Sequence, residues 1–107
     1  MEFIDLNAIP AKQLREGIVA RIVSGEKLMM AFMDLQPHLS DMPHHHPHEQ
    51  CGVVLEGEME LTVGEQKKLL KAGDTYFIPS NVPHAGRTYD KPARVLDIFS
   101  PPREEYR

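Results

Sequence analysis

Punctuation constrains this chain more than any other feature. Nine prolines and seven glycines are scattered along 107 residues and never gather into one linker. Proline lacks an amide donor and glycine adds backbone freedom without packing, so long helices have little room to form. Short apolar segments remain at 18–23, 28–35, 52–55, 59–63, 67–71, 75–78, 85–88 and 93–99. Most are rich in Val, Ile, Met and Phe and read as strands. Turn signals separate them: Ser24-Gly25-Glu26, Glu56-Gly57-Glu58, Val63-Gly64-Glu65, Ala72-Gly73-Asp74 and Tyr89-Asp90-Lys91-Pro92. Pro79 stops the segment before it. The one helical element expected is a turn over 11–16, ended by Gly17. Eight or nine short strands with this spacing predict an all-β fold, an antiparallel sandwich or β-barrel with a cavity at one end. Met29, Met30, Phe32 and Met33 are expected to line or fill its interior.

A chain of this length buries enough surface to fold as one domain over residues 1–107. Hydrophobic content of 41% and charged content of 26% place it among ordinary globular proteins. A formal charge of −4 leaves no basic excess to neutralise phosphates, which argues against nucleic-acid binding. Lys67-Lys68 reads as a solvated hairpin edge. Cys51 is the only cysteine, which excludes an intramolecular disulfide and fits a reducing compartment. The segment 1–5 has neither the basic start nor the apolar run of a signal peptide, and no stretch approaches the ~18 apolar residues of a membrane span. A cytoplasmic protein with no membrane partner is the expectation.

The histidines are the chemical anomaly. Five of six lie between residues 38 and 48, and the sixth is His84. In an extended segment residues i and i+2 share a face, so His44 and His46 can point together into a barrel and share a divalent ion. His45 would face elsewhere, and so would His48 if Pro47 bends the chain. The competing reading is a solvated histidine-rich loop, mildly attractive to metals. An apolar strand follows the cluster at once.

The surrounding pattern goes further. From His44 to Gly57 the chain reads H-H-H-P-H-E-Q-C-G-V-V-L-E-G, which closely resembles the first cupin motif. The histidine pair, the following ligand position and the closing glycine fall on His44, His46, Gln50 and Gly57. The second motif follows as Gly73-Asp74-Thr75-Tyr76-Phe77-Ile78-Pro79, then Ser80-Asn81-Val82-Pro83-His84, with His84 at its histidine position. The resemblance implies a double-stranded β-helix, the jelly-roll barrel, with one divalent metal on His44, His46, Gln50 and His84. Asn81 replaces a common glycine, and Asn best substitutes for Gly where a turn needs positive φ. Gln50 stands where many cupins carry Glu. Its carbonyl can ligate but brings no charge, so the ion's full charge stays in the site and favours Lewis-acid work or an anionic ligand. Such donors suit Zn, Ni, Fe, Mn or Cu. Cys51, next along the strand, turns away from the metal.

The tail, Leu96-Asp97-Ile98-Phe99-Ser100-Pro101-Pro102-Arg103-Glu104-Glu105-Tyr106, resembles the end of cupins related to the pectin-degradation protein. In that branch the cupin converts cyclic 4,5-unsaturated uronates into linear keto forms. Its D-x-F-x-x-x-R set falls here on Asp97, Phe99 and Arg103. The residues alone allow this reading: Asp97 and Phe99 share a strand face, a buried carboxylate is costly unless paired or useful, and Arg fits a uronate's acid group. They equally allow Asp97 to form a structural ion pair with Arg103 or Arg94, with Phe99 as core. Arg87 can approach the cavity mouth or lie exposed, and His38 reads as ordinary.

The expectation is a metal-dependent enzyme acting on a small anionic sugar acid. Asp97 would move a proton, Arg103 would orient the substrate and Phe99 would shape the wall. The alternatives are a metal-dependent dioxygenase and a non-catalytic ligand- or metal-binding cupin. The resemblance also implies a homodimer paired through sheet edges.

Overall fold

Alternating burial builds the barrel. In the computed structural model, which describes residues 3–107, the seven residues of Met29–Leu35 alternate buried and half-buried along their whole length. Ala93–Ser100 keeps a similar period, with Ala93, Val95, Asp97 and Phe99 inside. Period-two patterning of this kind specifies a strand with one face in a core. Eight strands result: β1 Lys12–Arg15, β2 Ile18–Ser24, β3 Met29–Leu35, β4 Glu49–Val63, β5 Gln66–Lys71, β6 Thr75–Ile78, β7 His84–Arg87 and β8 Ala93–Ser100. All paired strands run antiparallel, giving the jelly-roll barrel expected from the sequence.

The first sheet runs β1-β2-β3-β8-β4-β6, and the second holds β5 and β7 on either side of β4. Strand β4 therefore belongs to both. The turn expected at Glu56-Gly57-Glu58 is absent. A bulge between Val54 and Glu56, with Gly57 at φ +76°, bends one 15-residue strand from the first sheet into the second. The extra residue resets the inward parity: Gln50, Gly52 and Val54 point inward before it, Met59 and Leu61 after it. A side chain at 57 would lie 2.2 Å from the Pro92 carbonyl oxygen, so glycine is required there for space as well as for φ.

Two other expectations change. Residues 12–15 form β1, not a helical turn, because they pair with β2. The N-terminal turn is instead a 3₁₀ element at Leu6–Ala8, whose Asn7 amide donates to the Asp5 carboxylate at 3.0 Å. Of the four β3 residues expected inside, Met29 and Met33 enter the core, while Met30 and Phe32 face outward by alternation.

Inside, Ile18, Met29, Val54, Ile78, Val95 and Phe99 are almost wholly buried and fill the barrel. Lys67 and Lys68 lie exposed on β5. Among the described residues no helix is long and apolar enough to cross a membrane.

Candidate metal centre and active site

One end of the barrel is polar. The segment 36–44 is tied alongside β7: the Leu39 amide donates to the Thr88 hydroxyl (3.0 Å), the Asp41 amide to the Gly86 carbonyl (3.0 Å), and His44 and His84 exchange amide–carbonyl bonds (3.0 and 2.9 Å). Asn81, at φ +64°, donates its amide to the His46 carbonyl at 2.8 Å. That is the left-handed turn its asparagine predicts. These ties fix both histidine segments through backbone bonds.

None of residues 45–48 lies in a regular strand, yet the inward alternation survives from His44 to Gln50. His46 and Gln50 are buried and His44 half-buried, whereas His45 is exposed. Pro47 does not break the parity. His48 is half-buried, with its ring 5.3 Å from that of His46. One nitrogen from each of His44, His46 and His84 lies within 4.8 Å of the others, an arrangement that can hold a metal ion.

The hydrogen bonds say which nitrogens are available. Nδ1 of His44 lies 3.3 Å from the Met42 carbonyl, Nδ1 of His46 lies 3.1 Å from that of His48, and Nδ1 of His84 lies 2.9 Å from that of Val82. A carbonyl only accepts, so each Nδ1 carries the proton and each Nε2 presents a lone pair. Ligating histidines are held this way, the second nitrogen fixing tautomer and ring angle. Burial lowers all three pKa values and favours the neutral ligand form. Nε2 of His84 is buried with no hydrogen-bond partner. Nε2 of His46 lies 3.1 Å from Oε1 of Gln50, acceptor against acceptor. Converging lone pairs with no donor between them suit a cation, so the residues fit a divalent metal on three imidazoles with the Gln50 amide oxygen beside them.

Deeper in the same cavity stands Asp97, 5% exposed. Neither structural ion pair occurs: Arg94 bonds to Asp34 at 2.7 Å, and Arg103 pairs with Glu105. Asp97 accepts instead from the Tyr76 hydroxyl at 2.6 Å. Burial raises its pKa to about 6, against the lowering effect of hydrogen bonds from Tyr76 and Gln50 and of the Arg103 charge. The Tyr76 phenol is pushed up in turn, by burial and then by Asp97.

Phe99 forms part of the wall, edge-on to His46 (5.9 Å) and Tyr106 (5.7 Å). It belongs to the core and to the cavity at once. Arg103 lies against the rings of Phe99 and Tyr106, 5.4 and 4.1 Å from their centroids, and its Nη1 donates to the Tyr106 hydroxyl at 2.8 Å. The tail is anchored by Arg107, which donates to Ser24 Oγ (2.9 Å) and the Gly25 carbonyl (2.8 Å). Arg15 and Asp41, joined at 3.0 and 2.7 Å, complete the rim.

The seven residues singled out by sequence thus gather at one end of the barrel. Four neighbours were missed: Tyr76, Tyr106 and the paired Arg15 and Asp41. Tyr76 had a signal, since it shares inward parity with Ile78 inside the second motif. Tyr106 and Arg15 had none, because a tail and an edge strand carry no periodicity that aims them. Arg87 is exposed and lies over Tyr89 (5.3 Å), Cys51 faces away from the cluster, and His38 occupies a loop at φ +62°.

Known proteins resemble this chain in sequence and fold. The family described as "Cupin domain" matches residues 31–99. The pectin degradation protein KdgF of Dickeya dadantii (strain 3937) is 30% identical over 106 residues, covering 97% of this chain and 96% of that protein. Among solved structures, KdgF from Halomonas sp. has a TM-score of 0.92 at 25% identity, covering 100% of this chain and 99% of that one. An RmlC-like cupin from Shewanella frigidimarina NCIMB 400 has a TM-score of 0.93 at 26% identity, covering 100% and 96%. With a matched family spanning most of its length and the same barrel in solved relatives, this chain belongs to the cupin family.

Proposed function

We propose that this cupin is a metal-dependent enzyme that opens small 4,5-unsaturated uronates into linear keto acids. One observation carries the reading: a buried carboxyl with a pKa of about 6, Asp97, shares a cavity with the three-histidine cluster and with Arg103. Full-length similarity to two proteins named KdgF, one of them called a pectin degradation protein, supports the same substrate class.

The reaction is an isomerisation and needs no oxidant. The anomeric O–H loses its proton, the bond from the anomeric carbon to the ring oxygen breaks, and its electron pair passes to that oxygen. An aldehyde and an enolate result, and protonation at C4 turns the enolate into the ketone. A bound divalent ion would supply Lewis-acid polarisation of substrate oxygens. Asp97 takes one proton and returns another, a task suited to a group titrating near neutrality. Arg103 receives the substrate carboxylate: three of its five N–H groups are engaged by Glu105 and Tyr106, which leaves two. Phe99 closes the cavity wall behind the histidines.

The test follows loss of ultraviolet absorbance of a 4,5-unsaturated monouronate, comparing metal-loaded with chelated protein. Metal-dependent acceleration that Asp97→Asn abolishes, with metal content unchanged, is the expected result. No acceleration at confirmed metal occupancy overturns the reading.

We also infer a homodimer. The outer face of the first sheet carries the cross-strand rows Val23-Met30-Ile98-Cys51-Phe77 and Phe32-Leu96-Val53, ending at edge strand β6, where Phe77 is 57% exposed. An apolar sheet face of this kind suits a second copy of the chain. Light scattering should report a dimer that Phe77→Glu dissociates; a wild-type monomer at micromolar concentration rejects it.

A further inference from the structure

Three strands place Tyr76, Gly52 and Asp97 in one row. Gly52 of β4 is the register partner of Tyr76 on β6 and of Asp97 on β8. All three positions point into the barrel, and the middle one has no side chain. Over that gap the Tyr76 hydroxyl reaches Oδ1 of Asp97 at 2.6 Å. The gap is essential. A Cβ at residue 52 would lie 2.5 Å from the Tyr76 hydroxyl oxygen and 2.6 Å from Asp97 Oδ1. Contacts that short are not tolerated, so any larger residue at 52 forces the pair apart. Here glycine serves side-chain room rather than a special φ.

Tyr76 is also held firmly. Its side chain packs against the hydrophobic core and lines the site cavity. A phenol fixed by packing aims its hydroxyl without further ordering cost. Tyr76 fixes Oδ1, and the carboxyl lines the site cavity beside Gln50, which also hydrogen-bonds it.

We propose that Tyr76 is a positioning residue: across Gly52 it holds one oxygen of Asp97 so that the carboxyl faces the substrate. The inference rests on the uronate reading, in which Asp97 moves the proton. It assigns no bond-making to Tyr76 itself, whose hydroxyl keeps its proton throughout.

The test uses the metal-loaded full chain with Tyr76→Phe, which keeps the ring and removes only the hydroxyl. The melting temperature and metal content should stay near wild type, and KM should change less than about twofold. The kcat for a 4,5-unsaturated monouronate should fall about 10- to 100-fold, the usual effect of losing a group that orients a reacting one. Unchanged kcat in Tyr76→Phe, alongside an Asp97→Asn variant that is inactive, overturns the proposal and leaves the uronate reading standing. A crystal structure of Tyr76→Phe decides the matter without turnover: a reoriented Asp97 carboxyl supports the positioning role, and an unmoved one overturns it. If wild type itself shows no turnover, the uronate reading fails and the structural comparison still answers for Tyr76. Should Tyr76→Phe not fold, 4-fluorophenylalanine placed at position 76 alone fills the hydroxyl's space without offering a donor. A change in kcat with constant KM and melting temperature then supports the proposal, and constant kcat overturns it.

Discussion

His44 and His84 face each other across an isolated antiparallel bridge, each amide donating to the other's carbonyl, with ring centroids 4.3 Å apart. Two of the three imidazoles are therefore placed by backbone hydrogen bonds. Their geometry does not wait on a metal, so little ordering cost falls on binding.

Metal binding should accordingly act as simple ligand stabilisation. Adding Zn or Ni at about 100 times its dissociation constant should stabilise the protein by about 2.7 kcal/mol, read as a rise in melting temperature. His46→Ala and His84→Ala should each abolish that rise. A rise that persists in both variants would place the ion elsewhere.

Asp97 makes stability depend on pH in a stated direction. Its pKa is about 6 folded and about 3.9 unfolded, so between those values the folded state keeps a proton that the unfolded chain has lost. Its contribution is fully present below about pH 4 and is lost as pH rises through about 6. Asn at this position has no such dependence. In metal-free protein the stability of wild type relative to Asp97→Asn should fall with rising pH, by at most about 3 kcal/mol across that window. Thermal unfolding at stepped pH measures it, and a constant difference refutes it.

Glu105 sits where a substrate carboxylate has to compete. It accepts from Arg103 Nε at 3.1 Å, and its own side chain is 65% exposed. Arg103 is the main cause of its lowered pKa. Removing it as Glu105→Gln should free Arg103 and lower KM for an unsaturated uronate severalfold, with kcat little changed. The effect should be worth about 1 kcal/mol or less, because the pair is screened by water. A raised KM would show that Glu105 holds Arg103 in its binding pose.

Two glycines separate space from conformation. Gly57 (φ +76°) and Gly73 (φ +93°) are both left-handed, but an added Cβ meets the Pro92 oxygen at 2.2 Å in the first case and nothing within 4 Å in the second. Gly73→Ala should cost about 1–2 kcal/mol for conformation alone. Gly57→Ala should cost more, seen in denaturant titration as a lower midpoint. Equal costs would mean that the Pro92 turn yields freely.

Much of this was legible in the sequence because period two and ligand spacing are local properties. The antiparallel β fold and the inward parity of His44 and His46 follow from residues near one another in the chain, while Gln50 and the left-handed Asn81 were marked by the resemblance to the cupin motifs. What was not legible depended on distant partners. Glu56-Gly57-Glu58 has turn composition, but glycine at positive φ serves a bulge as well as a hairpin, and only the neighbours β8, β5 and β7 decide which. Residues 12–15 become strand because β2 offers an edge. Met30 and Phe32 read as core because an apolar outer face leaves the same signature as an inner one. Tyr76 meets Asp97 over a glycine whose purpose does not show when its own strand is read alone.

Strand β4 exchanges hydrogen bonds with β5, β6, β7 and β8 and passes through both layers. A two-layer protein ordinarily has a seam along which one layer can peel from the other. This barrel has none on that side, because opening either sheet disrupts the same strand. The amides of β4 should thus exchange with solvent only when the whole chain unfolds, and Gln50, at one end of that strand, inherits the protection.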